Sequence, residues 1–346
     1  MKAVGIKGGK GSSDDFFIED NVPDPVANGN RILVRIHSFG LNRMDIMQRE
    51  DRYPYPLLPE SGKILGVEFS GIVEAMGAEC QSDFQVGQKC FGLAYGGAVS
   101  GRSKTLHYAE KISVSENMLM HMPEGMSFET AAGFPETYFT AIQAMHLIGG
   151  LEPGQSVLIH AGSSGVGQAA IQVARCGGAS KIFVTAGSDA KCDLCKCLGA
   201  DFAINYRTCG DNDFAEVIRR ETEGKGVNLI IDLVGQSYWH RTIAAAAMEG
   251  RIVIVATMSG AIIEKFSLRD LMNKRLWVMT TTLRTRPSDY QKQLRDVVIE
   301  KALPYFAKGE VKVTVDEVFP WTEIGNGHKK MESNTHAGKL ICNVQV

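Results

Sequence analysis

Ser156-Val157-Leu158-Ile159-His160, then Ala161-Gly162-Ser163-Ser164-Gly165-Val166-Gly167, then the run from Gln168 to Cys176, then Lys181-Ile182-Phe183-Val184-Thr185: this stretch decides the fold. The first and last segments are short apolar runs of the kind buried strands show, and Gln168 to Cys176 spaces its apolar residues as a packed helix does. Strand, glycine turn, helix and strand make one βαβ unit, whose turn is suited to cradle the pyrophosphate of a dinucleotide. Gly162 allows the tight turn off the strand, Gly165 lets the backbone approach the phosphates, and Gly167 lets the helix pack closely on the sheet. Around these glycines, Ser163, Ser164 and Val166 complete the loop, and the first backbone N–H groups of the helix point at the anion.

Outward from this unit, strand and helix continue to alternate. Phe202-Ala203-Ile204, Val227 to Asp232, Arg251 to Ala256 and Trp277 to Thr282 read as further strands with helical segments between them. With the first two they predict six strands covered by helices on both faces, a doubly wound parallel sheet. Toward the N-terminus the text changes. From Met1 to about Met126 short strand candidates such as Arg31 to Ile36, Gly71 to Ala75 and Lys89 to Leu93 are separated by turns, the pattern of a β-rich domain. The proline-rich stretch from Tyr53 to Pro59 cannot be helix interior and reads as an extended loop suited to a substrate wall. The change falls at Pro123 to Glu129, where Ser127 is a candidate N-cap. After about Arg286 come a helical stretch, Tyr290 to Phe306, strand candidates Val311 to Val315 and Val318 to Trp321, a helix at His328 to Glu332 and a terminal strand from Lys339 to Val346.

A chain of 346 residues with 44% hydrophobic and 22% charged residues can bury two cores, and its net charge of −2 lacks the basic footprint that nucleic acid or an anionic membrane requires. Small-molecule partners are the expectation. The start, Met1-Lys2-Ala3-Val4-Gly5-Ile6-Lys7, lacks a secretory h-region, so a cytoplasmic protein is expected, with its eight cysteines reduced.

Gly40-Leu41-Asn42-Arg43-Met44-Asp45, Leu65 to Gly71, Asp83 to Cys90 and the Ala161 to Gly167 loop together resemble the medium-chain dehydrogenase/reductase superfamily, in the right order along nearly the whole chain. Tyr53, Pro135 to Ala141, Thr185 to Ser188 and Tyr238-Trp239 are similar to its zinc-independent quinone oxidoreductase branch, especially the p53-inducible type. The resemblance implies a β-rich GroES-like catalytic domain at residues 1–126 and 286–346 and an NADPH-binding Rossmann domain at 127–285. It also implies an active site in the cleft between them. The strand at 277–282 ends the sheet, and pairing of this edge with its two-fold mate would give a homodimer.

Zinc-dependent members hold their catalytic ion with a cysteine and a histidine at positions that here carry Asn42 and Val67. Neither replaces thiolate or imidazole. Cys80 and Cys90 are only a separated pair, and Cys192, Cys195 and Cys197 fan around one helix, so no metal is expected. Without a Lewis acid to stabilise an alkoxide, alcohol oxidation recedes, and hydride delivery to a quinone or conjugated carbonyl comes forward.

Cofactor choice turns on the end of the second strand, Ala186-Gly187-Ser188. NAD sites usually place an acid there, whereas NADP sites need donors and positive charge for the 2′-phosphate. Ser188, Lys191 one helical turn further, and Tyr206, which matches a tyrosine that related reductases use at this phosphate, favour NADPH; Asp189 lies past the ribose position. The resemblance further implies cofactor contacts from Thr140, Thr257, Met258, Leu283, Arg284 and Lys339. Asn42, Asp45 and Tyr53 are the polar groups expected to face the substrate, Tyr53 bonding or stacking on the quinone and the other two orienting it; Asn42 and Asp45 could equally tie down the turn after the strand. The leading expectation is an NADPH:quinone reductase. An NADPH-dependent enone or 2-alkenal reductase is the close alternative, and a crystallin-like or RNA-binding relative a more distant one.

Overall fold

The computed structural model describes residues 1–53, 65–94, 108–209 and 213–344. The proline-rich stretch beyond Tyr53 lies outside them. The chain divides into two compact units, the first made of Met1–Glu136, Arg284–Ile299 and Val313–Val346, the second of Thr137–Leu283 and Glu300–Lys312. Among the described residues no helix is long and apolar enough to cross a membrane.

The second unit carries a six-stranded sheet in the order Phe202–Asn205, Lys181–Ala186, Ser156–Ile159, Val227–Asp232, Ala246–Ile254, Trp277–Thr280. Every neighbouring pair is parallel. Each crossover carries helix, among them Gly165–Cys176, Asp189–Cys197, Trp239–Ala245 and Leu268–Lys274, because parallel neighbours cannot be joined by a hairpin. The chain lays down Ser156–Ile159 first, adds two strands on one side, and then returns to place Val227–Asp232 on the other. Strand order reverses there, and the crevice at the strands' carboxyl ends is where doubly wound sheets bind ligands. Leu158, Phe183, Phe214, Ile230 and Ile252 belong to the fully buried core.

The first unit holds a seven-stranded sheet. Its path runs Val315–Pro320, Lys339–Asn343, Arg31–Leu41, Glu68–Met76, Lys89–Leu93, Leu119–His121, and Lys111–Ser115 also pairs with the long strand Arg31–Leu41. The tail does rejoin the N-terminal segment: Leu340 lies opposite Leu41 and Cys342 opposite Phe39 in antiparallel register. This register brings Lys339 to the end of the long strand, beside the turn that carries Asn42.

Several boundaries differ from the sequence reading. The first division falls between Glu136 and Thr137 rather than near residue 126, because the short helix Phe128–Gly133, capped by Ser127 as expected, packs on the strands Arg31–Leu41, Glu68–Met76 and Lys339–Asn343. The helix read from Tyr290 to Phe306 is two, Ser288–Lys301 and Leu303–Ala307, with Pro304 in the first turn of the second, where its missing N–H costs nothing. Residues 311–314 are not a strand. Gln172 Oε1 accepts from the Lys312 N–H at 2.8 Å, and the Lys312 carbonyl accepts from the Tyr138 hydroxyl and Gln172 Nε2, each at 3.0 Å. Side chains have taken the groups a ladder would have used.

Candidate active site

In the second unit the glycine loop is built by backbone sterics. Ala161 leaves its strand with φ 52°, the left-handed turn that redirects the chain. A methyl group on Gly167 would come 2.3 Å from the Ala161 carbonyl oxygen, and one on Gly162 would come 2.8 Å from Val184 Cβ. Both positions therefore require glycine, for close packing of loop, helix and sheet. Ser164 is the N-cap of Gly165–Cys176, its hydroxyl accepting from the Gly167 N–H at 3.1 Å. The remaining first-turn donors and the helix dipole are available to an anion. This loop fits a dinucleotide pyrophosphate. Beneath it, buried His160 bridges Thr185 and Thr242 through its two ring nitrogens at 3.1 and 3.0 Å, and burial pushes its pKa down to about 4, so it is a neutral strut.

At the end of the second strand, Gly187 leaves room for Tyr206, whose hydroxyl would lie 2.8 Å from any Cβ there. Ser188 caps Asp189–Cys197, accepting from the Lys191 N–H at 3.3 Å and keeping its own proton free to donate. Asp189 is turned onto Asn205, whose amide donates to it at 2.7 Å. Gly187 thus lies against Tyr206, and Ser188 against the backbone of Lys191. On the same helix Cys192 and Cys195 are buried and Cys197 is exposed. Thr140 and Leu283 are buried in this unit, and the exposed turn of Thr257 and Met258 is fastened to residues 233–237, with Gly260 O accepting from Gln236 N at 3.0 Å. No single contact gathers these four.

In the first unit the expected residues meet partners that sequence reasoning missed. Lys339, only 4% exposed, spends its three ammonium protons on Glu68 Oε1 at 2.6 Å, Asn42 Oδ1 at 2.8 Å and the Leu41 carbonyl at 2.8 Å. It was expected to reach the cofactor; with all three donors engaged it ties the terminal strand to the long strand's end instead. Asn42 donates through Nδ2 to Glu68 Oε1 at 2.9 Å, so its amide is committed at both ends. Asp45, expected to face substrate, is wholly buried: its oxygens accept from the Tyr108 hydroxyl at 2.7 Å, the Asn42 N–H at 2.8 Å and the Gly66 N–H at 3.1 Å. It closes a capping box on the helix Arg43–Arg49. Burial lifts its pKa to about 6 against the pull of these donors, which leaves it ionised at neutral pH.

Glu68 Oε2 accepts from the backbone N–H of Glu136 at 2.8 Å. Glu136 itself is partly buried, and its Oε2 is shut off from solvent with no hydrogen-bond partner among the described residues. Burial first, then the Glu68 charge, raises its pKa to about 8. Arg284 donates to Gln48 Oε1 at 3.0 Å and holds its guanidinium 5.4 Å over the ring of Tyr53, so Tyr53 and Arg284 share one surface of the first unit. Glu68 and Glu136 carried a faint signal. An acid that opens a strand at its buried end is expensive unless paired, whereas Glu136 looks like an ordinary first-turn helix acid.

Two family models match the chain, the alcohol dehydrogenase GroES-like domain over residues 28–124 and the zinc-binding dehydrogenase over residues 165–299. A bovine quinone oxidoreductase-like protein 2 is 29% identical over 95% of the chain and 89% of its own length. Among solved structures, an NAD-dependent alcohol dehydrogenase shares 29% identity with a TM-score of 0.84, covering all of both chains. Escherichia coli quinone oxidoreductase complexed with NADPH shares 25% identity and a TM-score of 0.81, over 99% of this chain and all of that one. CurK enoyl reductase shares 26% and 0.81, over 99% and 98%. Fold, glycine loop and relatives agree on a nicotinamide-dependent oxidoreductase. With the two domains of the medium-chain dehydrogenase/reductase superfamily matched in order, the chain belongs to that superfamily, and its relatives include quinone oxidoreductase-like proteins.

Proposed function

We propose that the protein is an NADPH:quinone oxidoreductase that works without a metal. One observation carries the reading: Asn42, at a position where zinc-dependent members place a thiolate, has both ends of its amide bound to Lys339 and Glu68, while Val67, at the histidine position, is fully buried and has no donor to offer. A site with these side chains calls for a substrate that accepts hydride without Lewis-acid activation, and a quinone or conjugated carbonyl does so.

Bound NADPH supplies the hydride. The chain binds and orients the reactants. The loop Gly162 to Gly167 holds the pyrophosphate on the helix start. Ser188 and the Tyr206 hydroxyl donate to the 2′-phosphate and Lys191 adds a point charge, a combination that favours NADPH over NADH. Thr140, Thr257, Met258 and Leu283 are assigned to the rest of the cofactor. Tyr53, steadied by Arg284, presents a phenol for the quinone oxygen or a ring to stack on it. Asn42 and Asp45 act at one remove, fixing the turn after the long strand. The edge strand Trp277–Thr280 carries Trp277 64% exposed, and Leu268 and Met272 of the preceding helix are exposed as well, which supports a homodimer through this edge. The eight thiols, none in a disulfide, suit a reducing cytoplasm.

The resemblance to an enoyl reductase favours a second reading, reduction of enones or 2-alkenals at the same site. Oxidation of NADPH by 1,2- and 1,4-quinones beside small enones separates the two. Quinone turnover is expected to dominate, with electron paramagnetic resonance reporting any semiquinone; rapid enal turnover with no quinone activity would replace the leading reading.

A further inference from the structure

Reducing a quinone to a hydroquinone takes a hydride and a proton, as does reducing a conjugated carbonyl. The hydride has a source in the cofactor. The buried groups of the first unit indicate where the proton is kept.

Three carboxyl groups stand together there, Asp45 from the helix Arg43–Arg49, Glu68 from its strand and Glu136 from the helix start at Pro135, against one buried ammonium, Lys339. Arg284 is the other cation acting on the group, and its guanidinium is engaged by Gln48 and the Tyr53 ring. Asp45 accepts three hydrogen bonds, and Glu68 accepts from Lys339, Asn42 and the Glu136 N–H. Both carboxyl groups have hydrogen-bond donors at each of their oxygens. Among the described residues nothing donates to Glu136 Oε2, although it is shut off from solvent. Three like charges cannot all be held in so small a volume against one ammonium. Glu136, one of whose oxygens is buried beyond the reach of any donor among the described residues, is the one that stays neutral.

We propose that Glu136 is the general acid of the reduction: it enters each turnover protonated and gives its proton to the oxygen that becomes anionic as hydride arrives. The proposal rests on the reading of this site as one that reduces a quinone or conjugated carbonyl. In balance, quinone, one hydride from NADPH and the Glu136 proton become hydroquinone and NADP+. Glu136 is left as carboxylate, and solvent reprotonates it before the next cycle. Burial and the Glu68 charge, which hold the group near pKa 8, set it close to the working pH of a general acid.

Infrared difference spectra of the full-length protein across pH test the protonation directly. A protonated-carboxyl carbonyl band should vanish with a midpoint near pH 8 and be missing in Glu136→Gln. In turnover with NADPH and a quinone, or an enone if that proves the substrate, kcat should fall tenfold per pH unit above this midpoint. Glu136→Gln should lower kcat by roughly a hundredfold with NADPH affinity unchanged, and should abolish the pH limb. A wild-type protein with no such band at neutral pH, or a folded Glu136→Gln with wild-type kcat and pH profile, overturns the proposal. Failure of the quinone reading would look different, since it would move activity to another acceptor and leave the band and the pH limb in place.

Discussion

The glycine loop and the Lys339 cluster solve opposite problems. The loop offers an anion a set of backbone N–H groups and has no charged side chain of its own; it works because side chains are missing at Gly162 and Gly167. The cluster is made of side chains from residues as far apart as Asn42 and Lys339, and it works because charge is matched inside a buried volume. A site built from backbone is broken by adding atoms and is indifferent to pH. A site built from charge is broken by removing a partner and should feel every proton.

The largest effect is expected where charge is unbalanced. Lys339→Met leaves Glu68 buried with only the Asn42 amide and the Glu136 N–H, a loss of about 3–5 kcal/mol at neutral pH by denaturant unfolding. An unchanged midpoint at neutral pH would dissolve the contrast. Gly167→Ala puts a methyl group 2.3 Å from the Ala161 carbonyl oxygen, so loop and helix must separate. The expected cost is about 1–3 kcal/mol, with weakened binding of NADPH and NADH alike and no dependence on pH around neutrality. Wild-type affinity in this variant would show that the loop tolerates the added atom.

Smaller effects sharpen the picture. Lys191→Ala is expected to weaken NADPH by about ten- to a hundredfold and leave NADH nearly unaffected, as loss of one charge-assisted contact to the 2′-phosphate would do. Equal losses in a titration of the two cofactors would remove Lys191 from that role. Ser164→Ala removes a helix cap and should cost about 1 kcal/mol of thermal stability with no preference between cofactors.

The same contrast explains what could be read in advance. The glycine loop and its flanking strands are encoded in one short βαβ stretch, with Ser188 and Lys191 just past its second strand, so spacing made them legible, whereas Tyr206 was legible only through resemblance to related reductases. The parallel sheet followed from that pattern. Glu68, Glu136 and Tyr108 were missed because their partners come from distant parts of the chain. The antiparallel register between the terminal strand Lys339–Asn343 and the long strand Arg31–Leu41 is invisible in local periodicity; the pairing of Leu340 with Leu41 alone decides that Lys339 meets Asn42. Asp45 was left between the substrate and the turn for the same reason, and the cover given by Tyr108 and Gly66 is what favours the turn. At residues 311–314, apolar alternation predicted a strand that Gln172 and Tyr138 had already dismantled.

The most direct test is a pair of initial rates: oxidation of NADPH and of NADH by the same quinone, on wild-type protein under one set of conditions. Rapid quinone reduction with kcat/KM higher for NADPH by at least about tenfold, the worth of one charge-assisted hydrogen bond, is the expected result. No quinone-dependent oxidation of either cofactor, or a clear preference for NADH, would contradict it.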